Sequence, residues 1–173
     1  NRKMKKKISV LVLSVFILIL LPAISVNAKK PSSSLRGTMT LDFDLTATWP
    51  EDPVWVGWID IDGYDEYYME FYHLTPFKDY SQASPFEERF YIYDSSGAVL
   101  LAGPDVGVTI LANKPPEPTK YLMNGEIDIA NGIFSEWLGR NVHMSGVITW
   151  QVLETPDGTV IAPATAPGIF RIN

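Results

Sequence analysis

The chain has 173 residues, of which 46% are hydrophobic, and it contains no cysteine. That length fits one domain with a buried core, and the lack of cysteine excludes disulfides, thiolate nucleophiles and cysteine-based zinc sites. The first 28 residues hold five of the 14 basic residues and none of the 20 acidic ones, so the remainder carries a net charge of −11. Such an acidic surface repels phosphate backbones and argues against a nucleic-acid partner.

The N-terminus has the pattern of an export signal. Three lysines at positions 5–7 precede an uncharged, mostly apolar stretch from Ile8 to Leu21, and Val26 and Ala28 are the small residues that a signal peptidase requires. We therefore expect a cleaved signal peptide over residues 1–28 and a protein that is secreted or otherwise extracytoplasmic. Because the uncharged run up to Ala28 is long enough to cross a bilayer, an uncleaved membrane anchor is the alternative.

A polar leader over residues 29–36 is expected to precede a single β-barrel domain over residues 37–173. The clearest strand is 39–47, where apolar residues alternate with threonine and aspartate as they do in a half-buried strand. In a later strand, Val106, Val108 and Ile110 are expected to face the interior. Similar alternation predicts further strands at 55–62, 67–73, 87–94, 98–102, 121–129, 142–152 and 169–172.

One helical segment interrupts the strands. Phe134, Trp137 and Leu138 have i, i+3, i+4 spacing and Gly139 is a typical C-terminal stop, which predicts a short helix near 132–139.

About eight antiparallel strands, each with one apolar and one polar face, predict an all-β, up-and-down barrel. A two-sheet sandwich is the alternative, because alternation alone does not distinguish closure from face-to-face packing. Acidic residues on the second face disfavour a membrane barrel, so no membrane contact is expected after signal cleavage.

A late segment resembles part of the dirigent and allene oxide cyclase barrels. It consists of Ala130 to Phe134, then Leu138 to Arg140, and then Gly146 in a long strand. In those families a glycine, an aromatic residue, a short connector and a second glycine lead into one of the last strands. This chain has Ala130-Asn131 where those families have a denser glycine cluster. The resemblance implies an eight-stranded barrel that often forms trimers and has acidic residues in its cavity, but it carries no catalytic residue across.

The predicted interior is almost wholly apolar. His73 and Glu88 are its only residues able to transfer a proton near neutral pH, Glu88 if burial raises its pKa, and they are the catalytic candidates. Because both lie near strand ends, the simpler interpretation is that they reach solvent at the rim of the barrel. Four residues are expected to line any cavity: Tyr67, Met69, Phe71 and Tyr121.

The turn between the second and third predicted strands is rich in carboxylates. Hard cations such as calcium favour such ligands outside the cell, although the EF-hand spacing is missing. A solvated acidic hairpin with no cofactor is the simpler interpretation, and a calcium site is the alternative. The candidate ligands are Asp60, Asp62, Asp65 and Glu66.

An aromatic stripe is predicted on the outer faces of three consecutive strands. An exposed stripe of this kind is usually covered, here by the loop from Thr75 to Pro85, by a second subunit, or by a ligand such as a carbohydrate, with the loop and the subunit as the commoner cases. The stripe consists of Trp58, Tyr68, Tyr72, Tyr91 and Tyr93.

The sequence therefore predicts an exported, noncatalytic barrel that acts through ligand binding or through assembly as a homo-oligomer. The alternative is an isomerase- or cyclase-type barrel enzyme that acts on a hydrophobic small molecule in an apolar cavity. A continuous cavity reached by Glu88 or His73 favours the enzyme, and a filled interior favours the binding protein.

Overall fold

The computed structural model of the protein describes residues 34–75, 85–110 and 116–173. The predicted signal peptide and most of the predicted leader lie outside the described residues. The described elements are β1 (Leu35–Phe43), β2 (Trp55–Ile61), β3 (Glu66–His73), β4 (Pro85–Tyr93), β5 (Val99–Ile110), β6 (Thr119–Glu126), β7 (Ile129–Ala130), a 3₁₀-helix (Gly132–Trp137), β8 (Asn141–Ile148), β9 (Trp150–Thr155), β10 (Gly158–Pro163) and β11 (Gly168–Ile172).

Eight of these strands form a closed antiparallel barrel, which confirms the predicted fold class. Their order around the barrel is β4-β3-β2-β1-β11-β8-β6-β5, and β5 pairs back onto β4. This closing pair runs from Pro85 opposite Val108 to Tyr93 opposite Val99. A sandwich would leave two separate sheets, whereas here each barrel strand has a hydrogen-bonded neighbour on both sides. The sandwich alternative is therefore wrong.

Apolar side chains from the alternating inner rows fill the barrel. Phe90 is fully buried, and its ring lies 6.2 Å from that of Phe71 and 6.1 Å from that of Phe170. These three residues come from β3, β4 and β11, so the contacts tie opposite sides of the barrel together. The other large side chains with less than 2% exposure include Met39, Ile59, Ile61, Met69, Ile92, Leu101, Ile127 and Met144.

The 3₁₀-helix packs against the interior at the end of the barrel where β6 ends and β8 begins. Phe134 is fully buried and its ring contacts that of Tyr67 at 5.7 Å, and Trp137 is also buried. Leu138, which the predicted i, i+4 spacing places inside, is exposed. The helix has the tighter winding of three residues per turn and ends at Trp137, so the α-helical spacing does not apply to Leu138.

None of the helices in the described part of the chain is long and apolar enough to cross a membrane.

Between β8 and β11, the chain forms a two-stranded hairpin from β9 and β10. β9 and β10 pair only with each other, in a separate sheet, and Val152, Val160 and Ile161 are exposed on it. The two-residue strand β7 lies outside the barrel and pairs with the first half of β5.

The inward face of β5 differs from the prediction. Asp105 and Thr109 point into the barrel and are buried, whereas Val106 is 59% exposed and Val108 is also exposed. The sequence pattern predicts two short strands there, with the valines inside because they are apolar. β5 is instead one continuous strand, so the alternation that places Leu101 inside carries Asp105 inside as well.

Candidate functional site

Three neighbouring strands bring His73, Glu88 and Asp105 to one level inside the barrel. His73 of β3 is paired in register with Glu88 of β4, and Glu88 is paired with Asp105 of β5. Their exposed fractions are 2%, 3% and 2%. The expectation that His73 and Glu88 reach solvent at the rim is therefore wrong. We refer to these three residues as the interior cluster.

Burial favours the neutral forms of the interior cluster. Glu88 Oε1 contacts His73 Nε2. Burial raises the pKa of Glu88 and lowers the pKa of His73, so both groups are most stable uncharged, with the proton of the pair on the carboxyl. Burial, and then the charge of Glu88, raise the pKa of Asp105 as well. Among the described residues, neither carboxyl oxygen of Asp105 has a hydrogen-bond partner.

Tyr121 of β6 completes the polar lining. Its hydroxyl donates to the carbonyl oxygen of Ala166 at 3.5 Å. Burial, together with the charge of Glu88, raises the pKa of this phenol, so it is a neutral donor at physiological pH. A neutral carboxyl beside an imidazole and a phenol can exchange protons with a bound molecule, provided that the molecule has room.

The cavity beside the interior cluster is small. About 20 Å³ is open to the centres of water molecules, which is room for one or two of them. Of the residues predicted to line a cavity, Phe71 and Tyr121 do so, whereas Met69 is buried in the filled part of the core and Tyr67 lies against the 3₁₀-helix. Sites for organic ligands span about 300–1,000 Å³, so this cavity suits water.

On the outside of the barrel, the aromatic stripe forms one continuous set of ring contacts. Trp58, Tyr68 and Tyr93 are paired in register across β2, β3 and β4, with ring centroids 5.5 and 6.2 Å apart. Tyr91 continues the stripe, 6.0 Å from Tyr93 and 5.7 Å from Tyr72. All five predicted residues therefore lie together, and Trp58 remains 53% exposed. Residues 76–84 of the loop from Thr75 to Pro85, the predicted cover, lie outside the described residues.

Glu70 lies among the tyrosines of the stripe and was missed by the sequence analysis. Its Oε2 accepts hydrogen bonds from the hydroxyls of Tyr72 at 3.2 Å and Tyr93 at 2.9 Å. Partial burial, and then the charge of Glu70, raise the pKa of Tyr72 to about 12. The phenols therefore stay protonated and hold the carboxylate in place. Its position two residues from Tyr68 and Tyr72 on one strand was the available signal.

Arg89 is the basic residue of this face, and it also was missed. Its guanidinium carbon lies 5.2 Å from the centroid of the Tyr91 ring, and its Nε donates to the Tyr91 hydroxyl at 2.8 Å. Both terminal nitrogens donate to the Asp128 carboxylate at 2.8 Å. The charge of Arg89 is therefore already paired within the protein.

The stripe borders two surface grooves. The smaller, of about 310 Å³, lies beside Tyr72, Leu74, Arg89 and Tyr91. The larger offers about 640 Å³, and we call it the acidic groove because the described residues that line it include three acidic and no basic ones. It is lined by the aromatic residues Trp58, Tyr67, Tyr68 and Tyr93, by the acidic residues Glu66, Glu70 and Asp94, and by Ser95 and Gly97.

The predicted calcium ligands lie at the β2–β3 turn. Asp60, Asp62, Asp65 and Glu66 are exposed there. Within residues 34–75, 85–110 and 116–173, no three His, Asp or Glu side chains come together in a metal-binding arrangement. A calcium site at this turn stays an untested prediction.

No known protein family, curated protein or solved structure matches this chain. The resemblance to dirigent and allene oxide cyclase barrels accordingly stays a prediction, and the barrel fold alone does not specify a function.

Proposed function

We propose that the protein is an exported, noncatalytic binding protein that holds its ligand on the aromatic stripe. One contrast supports this function. Rings that are partly open to solvent line grooves of several hundred cubic ångströms outside the barrel, whereas the cavity beside the interior cluster has room for one or two waters. Partly exposed tyrosine and tryptophan are efficient contact residues because they bury a large area at a small cost in side-chain entropy.

The charge of the stripe favours a ligand over a second copy of the chain. A two-fold dimer brings the same patch of both subunits together. Here that contact places two sets of Glu66, Glu70 and Asp94 side by side, and like charges at a desolvated contact are unfavourable. Stable homodimer interfaces are also more hydrophobic than a face with a carboxylate among its rings. Homo-oligomeric assembly through the stripe is the alternative.

Binding to three chemically different probes tests the proposal. The probes are choline, its neutral isostere 3,3-dimethyl-1-butanol, and cellohexaose, which represent a cation, an apolar molecule and a carbohydrate. We expect at least one to bind the wild-type protein, as followed by nuclear magnetic resonance of the indole protons, and to bind the Trp58→Ala variant more weakly. Failure of all three to bind at millimolar concentration contradicts a ligand-binding stripe.

The oligomeric state of the protein distinguishes a ligand-binding surface from a subunit interface. A ligand surface predicts a monomer at micromolar concentration in both low and high salt. A subunit interface predicts an oligomer that survives high salt and dissociates in the Tyr72→Asp/Tyr91→Asp variant, because carboxylates are then placed in a desolvated contact. Light scattering measures the particle mass, circular dichroism checks the fold, and Ile169→Asp, at an exposed position on β11, is the matched control.

A second candidate function is an isomerase- or cyclase-type enzyme, favoured by the buried proton-exchanging residues of the interior cluster. It requires an interior that opens to a hydrophobic molecule. The neutral apolar probe N-phenyl-1-naphthylamine would then bind at one saturable site, and Thr109→Leu, which adds bulk to the cavity wall, would block it. We expect no saturable interior binding, because the probe is far larger than the 20 Å³ cavity.

A further inference from the structure

We infer that the ligand of the acidic groove carries a methylated ammonium group, as choline does. This inference rests on the proposed function and adds the chemical class of the ligand. It is carried by the juxtaposition, in one groove of about 640 Å³, of three rings of the aromatic stripe with three acidic residues.

The rings provide faces for a cation. Trp58 and Tyr68 meet edge to face, with centroids 5.5 Å apart and planes at 69°, and the next ring, Tyr93, lies 6.2 Å from Tyr68 at an angle of 33°. The steep angle between the first two planes makes a corner in which a bound group contacts more than one ring. A cation within about 6 Å of a ring centroid is attracted by the ring quadrupole, and tryptophan gives the strongest attraction.

The carboxylates give the groove one sign of charge. Asp94 Oδ1 accepts hydrogen bonds from the Ser96 amide at 2.8 Å, the Ser96 hydroxyl at 2.6 Å and the Ala98 amide at 2.9 Å. These bonds lower the pKa of Asp94, so it stays ionised down to low pH. Glu70 is held by two phenols. Arg89 is paired with Asp128, and the described residues that line the groove include no base to offset these charges.

The aromatic lining of the acidic groove favours a methylated ammonium over a primary one. A primary ammonium is compact and strongly hydrated, so it loses favourable hydration when it moves against aromatic rings. A trimethylammonium group spreads the same charge over an apolar surface, and that surface matches the rings. The size of the groove is within the range of small-molecule sites.

A comparison of three closely related probes tests whether the groove prefers a methylated cation. Choline, 3,3-dimethyl-1-butanol and ethanolamine are titrated into the folded protein by isothermal calorimetry in low salt. We expect choline to bind about tenfold more tightly than the neutral alcohol, which has the same shape without the charge, and more tightly than the unmethylated amine.

Two variants with matched controls locate the site. Trp58→Ala should weaken choline binding about tenfold and Glu70→Gln about threefold. Trp49→Ala removes an exposed tryptophan outside the groove, and Glu136→Gln removes an exposed carboxylate on the 3₁₀-helix, so both should retain wild-type affinity. Circular dichroism confirms the fold of each variant.

The possible failures are distinguishable. Equal affinities for choline and the neutral alcohol, or choline binding that Trp58→Ala leaves unchanged, overturn the inference. If cellohexaose binds in a Trp58-dependent manner and choline does not bind, the inference fails and the proposed function stands. If none of the probes binds, both fail.

Discussion

The carboxyl groups of Glu88 and Asp105 are neighbours inside the barrel, and each is more stable with a proton there than in water. This arrangement links folding to pH. Between the ordinary pKa of a carboxyl, near 4, and its raised value in the fold, the folded state holds a proton that the unfolded state has released. Stability therefore falls as pH rises through that interval.

His73 changes the stability with pH in the opposite direction. Its pKa in the fold is lowered from the ordinary 6.5, so the unfolded state binds the extra proton, and stability from this residue rises with pH only up to about 6.5. Among the described groups with a shifted pKa, the two carboxyls are those whose protonation differs between the folded and unfolded states from pH 6.5 to 8.

We predict that the free energy of unfolding falls between pH 6.5 and 8, by at most about 1.4 kcal/mol per pH unit for each carboxyl. Asp105→Asn removes one of the two titrating carboxyls, so the slope should be smaller and the stability at pH 8 higher. Urea denaturation at four pH values measures this. The exposed Asp60→Asn variant should keep the wild-type slope, and an unchanged slope in Asp105→Asn would contradict the assignment.

Among the elements, β2 to β4 were the most predictable, whereas the first strand, predicted at 39–47, lies at Leu35–Phe43. β1 to β4 alternate strictly, and Gly63 and Gly97 mark their turns with positive φ angles of 82° and 84°. This local pattern also placed the aromatic stripe on one face. β5 was not predictable in the same way, because its buried Asp105 and exposed Val106 reverse the usual preference for apolar residues inside.

Alternation within one strand does not specify which residues of different strands meet. The interior cluster depends on the register of β3, β4 and β5, which follow one another in the chain. That register depends on the length and geometry of the connections between these strands, which the alternation of apolar and polar residues does not contain. The pairing of Glu70 with two phenols depends on side-chain positions, which the strand pattern does not contain.

Close contact between β1 and β2 yields a prediction about Gly57. A Cβ added there would overlap the carbonyl oxygen of Thr40 and lie 2.9 Å from the Cα of Leu41, so the paired backbones would have to separate. We expect Gly57→Ala to cost about 3 kcal/mol of stability.

Gly63→Ala is the matched comparison. Nothing lies within 4 Å of the added Cβ, and the positive φ alone should cost about 1 kcal/mol. Urea unfolding of both variants measures the difference, and equal costs would show that crowding between β1 and β2 is not the reason for Gly57.

The charged residues of the whole chain are unevenly distributed, with a basic N-terminus and an acidic remainder. The basic N-terminus lies outside the described residues, and its role as a signal peptide is a prediction from the sequence. The acidic remainder has a net charge of −11, which opposes self-association and attracts cations to the grooves of the barrel.

We predict that the exported form begins at Lys29, because Val26 and Ala28 supply the small residues of the cleavage site. Intact-mass spectrometry of secreted protein gives the N-terminal residue directly. Ala28→Leu places a large residue at the cleavage position and should leave the protein attached to membranes. A secreted wild-type chain that retains Ile8 to Leu21 would contradict the prediction.

The β9–β10 hairpin extends past the barrel, and its turn at Pro156 and Asp157 is exposed. The eight barrel strands obtain their hydrogen bonds from one another, so none of them depends on this turn. The turn is therefore a natural insertion point for a foreign peptide, such as an epitope tag or a fluorophore-labelling sequence. A peptide inserted there leaves the closed sheet intact, so this small cysteine-free barrel can serve as a scaffold for displaying peptides.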